Sequence, residues 1–177
     1  VLIALAHRAE ANSGEGHATY DGLMQATGLS RAKIAKGLDV LSARNLVTRG
    51  AQGRSSFALV DYDLARGWAK LPARPLYSGG RIAAFADFHL RKAAELNALK
   101  LYLLFVARRG NDTNLAQISY DKITEYTGLD RNRIKQALTL LAIGNLVHVE
   151  RVPSDVNDFA VSNAYRITHI DSYAHMG

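Results

Sequence analysis

In "ELNALKLYLLFVARRG" the apolar positions Leu96, Leu99, Tyr102, Leu103 and Val106 keep helical spacing, and Gly110 with the polar run "NDTN" predicts where that helix stops. A second helix is predicted to begin near Ser119, a suitable N-cap, with Ile123 turned inward and Tyr126 near its end. Gly128 follows as the left-handed residue that closes it. Asp130 caps a third helix, in which Ile134, Ala137, Leu138 and Leu141 share one face and Asn145 marks the end. Beyond it the periodicity changes, and "NLVHVERV", a loop and "NAYRITHI" read as two strands of a β-hairpin.

The same pattern occurs twice. "YDGLMQATGLSRAKIAKGLDVLSARNLV" from Tyr20 aligns without a gap to "YDKITEYTGLDRNRIKQALTLLAIGNLV" from Tyr120, at an offset of 100 residues. The first hairpin is "NLVTRGAQGRSSFALVDY", with a glycine-containing turn, and "VLIALA" aligns with "LYLLFV", so the sequence as given is expected to start inside the first helix of copy one. A period this long points to two small domains in series rather than a solenoid. The boundaries expected are 1–60 for the first, 61–92 for an ordered linker and 93–177 for the second. The linker holds all three prolines and the only tryptophan; Trp68 and Tyr77 are expected to act as packing anchors, and Ile82, Phe85 and Phe88 suggest a short helix after Gly80.

Two helices joined by a short glycine-containing turn make the helix-turn-helix plan. With the hairpin that follows, the chain resembles the winged helix-turn-helix superfamily, and "TGLSRAKI", the leucines after it and "NLV" resemble its bacterial members. The fold expected is therefore mainly α with small β-hairpin wings, two winged helix-turn-helix domains in tandem. The tandem arrangement is similar to that of plasmid and mobile-element replication initiators and of bacterial transcriptional regulators. The resemblance implies sequence-dependent binding of double-stranded DNA in the cytoplasm, on the nucleoid, with the third helix of each copy in a major groove.

On that plan the outward positions of copy one are Ala32, Lys33 and Lys36, with Arg31 at the helix start, and those of copy two are Asn132, Arg133 and Gln136, with Arg131 at the start and Lys135 on the flank. Arginine can read guanine, and asparagine or glutamine adenine, through paired hydrogen bonds, so copy two has the better base-reading set while copy one suits phosphate. Arg49 and Arg54 flank "GAQG" in the first wing, which is expected to touch DNA, whereas Asp155 and Asp158 in the second disfavour phosphate, so that wing is expected to touch DNA weakly or to meet a protein. Leu140 and Ile143 fit either extra core packing or an interface, between the domains or with a second copy or another protein.

Composition narrows the rest. With 48% apolar and 21% charged residues among 177, the chain is expected to fold, and a formal charge of +6 favours a polyanionic partner. There is no cysteine, which removes disulfides, thiol nucleophiles and zinc-thiolate sites. "VLIALA" is too short to cross a membrane. No P-loop, H-E-x-x-H or G-x-S-x-G string occurs, "SGEGH" from Ser13 reads as a loop, and His148, His169 and His175 lack ligand spacing, so neither enzyme activity, a metal nor a cofactor is expected. Two rivals stay open. One is a tandem winged-helix protein-interaction module of a chromosome-maintenance complex, disfavoured by the basic starts of the third helices; the other is RNA binding, which charge does not separate from DNA binding.

Overall fold

A computed structural model describes residues 1–50, 53–66, 69, 71–88, 91–153, 161–168 and 170. Helices and small antiparallel sheets divide into two compact units, Val1–Trp68 with Ala73–Ala86, and Ala69–Pro72 with Asp87–Gly177. Among the described residues no helix is long and apolar enough to cross a membrane.

The first unit runs α1 (Leu2–Ala6), β1 (Glu15–His17), α2 (Tyr20–Thr27), α3 (Arg31–Ala43), β2 (Val47–Arg49) and β3 (Ser56–Leu59). Helix α2 starts where the Thr19 side chain accepts a hydrogen bond from the Gly22 N–H at 3.0 Å, and it ends at Gly28, whose φ of 66° lies in the left-handed region. Ser30 caps α3 in the same way. Ile34 and Leu38 then face inward onto Leu5, Leu23 and Ala26 to form the core. Strand β3 lies between β1 and β2, both antiparallel to it. "EGH" is thus a strand and not the loop expected from sequence, because β3 supplies the backbone partners that three residues cannot advertise.

The second unit repeats that order as α5 (Ala93–Arg108), β6 (Leu115–Gln117), α6 (Tyr120–Thr127), α7 (Arg131–Ile143), β7 (Val147–Pro153) and β8 (Val161–Ile167), with β8 central in its sheet. The Ser119 cap, left-handed Gly128, the Asp130 cap and the inward Ile123, Ile134, Ala137, Leu138 and Leu141 all match the sequence pattern. The face of α5 does not. Leu96 is 48% exposed and Leu99 and Leu103 only half-buried, while Ala98, Leu101 and Phe105 join Tyr102 and Val106 in the core. So many apolar residues surround this helix that spacing alone could not choose its buried stripe. Phe105 stacks on Tyr165 of β8, ring centroids 4.3 Å apart and planes within 7°.

Between the repeated elements, α4 (Ala73–Leu76) leads into a hairpin of β4 (Tyr77–Ser78) and β5 (Arg81–Ile82), and this segment belongs to the first unit. Gly79 and Gly80 turn it with φ of 56° and 77°, the pair of positive values that a two-residue type I′ hairpin needs. The helix expected after Gly80 is reduced to a single 3-10 turn, Ala83–Phe85. Tyr77 meets the His7 ring edge-on at 5.2 Å within the first unit, whereas Trp68 lies outside the described residues.

Candidate nucleic-acid interface

The short connection between α2 and α3 fixes which side of α3 can meet a partner. Gly28 reverses the chain, Ser30 caps, and with Ile34 and Leu38 inward the side chains of Arg31, Ala32, Lys33 and Lys36 are exposed. In the second unit the same construction exposes Arg131, Asn132, Arg133, Lys135 and Gln136 on α7. Every candidate contact residue on the two helices is therefore accessible. Arg49 at the end of β2 and Arg54 in the turn before β3 are exposed as well.

Sequence reasoning missed the counter-charges. Asp21, in the first turn of α2, lies 3.8 Å from Arg31, and Asp121, its counterpart in α6, lies 3.0 Å from Arg131. Arg31 also rests its guanidinium 4.6 Å from the centre of the Tyr20 ring. The first arginine of each helix therefore ties that helix to its predecessor; the signal was in the repeat, since Asp21 and Arg31 both recur 100 residues on. Arg49 pairs with Asp39 of α3 at 2.9 Å, and Arg133 pairs with its own helix cap Asp130 at 3.2 Å. These pairs are solvent-exposed and worth about 0–1 kcal/mol each, so a phosphate or a base edge can compete for the arginines. Lys33 and Lys36 add exposed cations to α3 in the first unit, and Asn132, Lys135 and Gln136 add a cation and two amides to α7 in the second.

The second hairpin is built differently. Arg166 of β8 makes a two-pronged ion pair with Glu150 of β7, Nη2 to Oε2 at 3.0 Å, and donates from Nη1 to the Thr113 carbonyl at 2.8 Å. The Arg166 hydrogen bonds hold the Glu150 carboxyl below its ordinary pKa. Val149 takes the position that Arg49 holds in the first unit. Asp155 and Asp158, the acidic residues expected at this wing, lie outside the described residues, as do His169 and His175; His148 is exposed on β7. Among the described residues no three His, Cys, Asp or Glu side chains come together as a metal site. Ile143 is 78% exposed at the end of α7, with Leu140 half-buried one turn before it, so Ile143 adds nothing to the core.

Comparison with protein-family models, with curated proteins and with solved structures found no match for this chain.

Proposed function

We propose that the chain consists of two winged helix-turn-helix domains in tandem and binds double-stranded DNA in a sequence-dependent way, as a replication initiator or a transcriptional regulator, acting on the nucleoid in the cytoplasm. One observation carries the reading. A capped helix whose first turns expose cationic side chains follows a glycine turn and precedes a hairpin, and this arrangement occurs twice, 100 residues apart. Helices α3 and α7 would enter the major groove, and Arg49 and Arg54 would touch phosphate from the first hairpin.

A random duplex library selected on the full chain tests this. Enrichment of an extended motif, with binding that duplex DNA competes away better than RNA of the same length, supports the reading. Binding without enrichment, or preferential loss to RNA, removes it. A second reading attaches to Ile143, whose exposure suits contact with a second copy or another protein through the second domain. An Ile143→Asp variant that sediments as a smaller species under conditions where wild type self-associates would support that contact.

A further inference from the structure

Among the differences between the interiors of the two copies, one lies at a cleft in the first unit. In the second unit Phe105 and Tyr165 stack face to face, both fully buried, and Ile118 is the half-buried residue just before the Ser119 cap of α6. The 100-residue offset makes Leu5 and Ala18 the counterparts of Phe105 and Ile118. Strand register gives the third match: Gly16 faces Phe57 across β1 and β3, as Ala116 faces Tyr165 across β6 and β8. Each residue in the first unit is smaller than its partner in the second. Phe57 moreover leans on Gly16, where a Cβ would come 2.7 Å from its ring. The first unit holds a cleft of about 230 Å³, lined by Leu5, Leu23, Leu38 and Phe57 with Ala18 beside them. At its mouth stand Arg49 and Arg54, and Arg49 replaces the apolar Val149 of the other copy.

We infer that this cleft is a binding site for a small organic anion, an aromatic or branched aliphatic carboxylate whose apolar body fills the floor while its carboxylate meets Arg49 and Arg54. An apolar cavity with a few converging polar groups is the usual form of a small-molecule site, and the volume lies below the roughly 300–1,000 Å³ of drug-sized pockets, which limits the occupant to about a single ring. The rim carries two guanidinium groups against the one carboxylate of Asp39, and the pairing of Arg49 with Asp39 uses only one of its terminal nitrogens. Nothing in this inference requires the chain to bind DNA.

The test titrates the full chain with benzoate and isovalerate, and with benzamide as the neutral isostere of benzoate, following backbone amide shifts by NMR. Expected is saturable binding of the carboxylates with Kd around 1 mM or tighter, shifts centred on β2, β3 and the start of α2, and at least about tenfold weaker binding of benzamide. Ala18→Ile and Arg49→Val install the residues that the second copy tolerates at these positions, so both variants should fold, and each should weaken benzoate by about tenfold or more. The inference is overturned if neither carboxylate saturates below roughly 10 mM, if benzamide matches benzoate, or if both variants bind like wild type.

Discussion

A single position shows how each copy closes the corner before its first strand. In the first unit it is Gly14, with φ of 70°, and a Cβ there would stand 2.5 Å from Cγ of Tyr62, a ring held by its hydroxyl donating to the Ala11 carbonyl at 2.8 Å. In the second it is Asn114, fully buried with φ of 54°, whose side-chain amide donates to the carbonyls of Ile167 at 2.7 Å and Ile170 at 3.1 Å. Gly14→Ala should therefore cost about 3 kcal/mol, the left-handed penalty plus overpacking. Gly128→Ala, with a similar φ but nothing within 4 Å of the new Cβ, should cost only about 1–2 kcal/mol. Asn114→Gly keeps the backbone and leaves carbonyls unmet, for a loss of about 2 kcal/mol. Urea melts of the full chain that show Gly14→Ala no worse than Gly128→Ala would contradict the packing described.

His7 gives the first unit an acid sensitivity. Its ring is packed against Tyr77, neither ring nitrogen has a hydrogen-bond partner among the described residues, and burial, with the charge of Arg8 next to it, lowers its pKa. The unfolded chain takes up a proton near pH 6.5 that the folded state resists, so stability present above that pH falls as the solution is acidified toward the folded pKa. His7→Leu should flatten this slope. The check is thermal unfolding between about pH 7.5 and 5, in which wild type and variant should diverge only on the acid side.

At the scale of elements, what was legible followed the capping chemistry. Thr19, Ser30, Ser119 and Asp130 each accept a backbone N–H at a helix start, and Gly28 and Gly128 close the helices before the turn, so local residues alone set those boundaries. Strands β1 and β6 were not legible, since three residues of "EGH" or "LAQ" carry no alternation and become strands only against β3 and β8. The Gly79–Gly80 hairpin could have been read from its glycine pair between Tyr77 and Ile82. Exposure of the candidate contact residues followed from helical period once Ile34 and Ile134 were placed inward; the carboxylates holding several of them did not, because Asp39 and Arg49 meet only through the fold. Asp130 combines two roles, accepting the Arg133 N–H at 2.9 Å and pairing with the Arg133 side chain. Asp130→Ala should cost about 1 kcal/mol through the cap, while Asp130→Ser should restore most of that and leave the guanidinium without its carboxylate. Equal losses for both in denaturant melts would mean that the ion pair, and not the cap, is what matters.

For the molecule as a whole, the proposed DNA contacts differ in how much charge is already spoken for. Lys33→Ala and Lys36→Ala should each lower the slope of log K against log salt by about 0.9 and weaken all sequences alike. Asp39→Ala should do the reverse, because it frees Arg49 from a carboxylate 2.9 Å away, giving tighter and more salt-sensitive binding. If Asp39→Ala leaves the slope unchanged, Arg49 does not face phosphate. Arg133→Ala should cost about 1–3 kcal/mol on a selected site and relax the preference at one base pair, with affinities for single-base variants as the readout; a uniform loss on every variant would make Arg133 a phosphate contact.

The unequal interiors of the two copies also bear on how such a chain finds its own fold. Two helix pairs of the same pattern on one polypeptide invite exchange, with α6 and α7 docking on α1 in place of α2 and α3, a recognised failure of repeated sequences. Phe105 and Tyr165 form a stacked pair that Leu5 and Phe57 cannot reproduce. A crossed assembly would set each helix pair against a first helix whose inward residue, Leu5 or Phe105, differs in size from its own partner's, at a packing cost that the correct pairing avoids. Divergence inside the repeat thus acts as an address, telling each helix pair which half of the chain is its own.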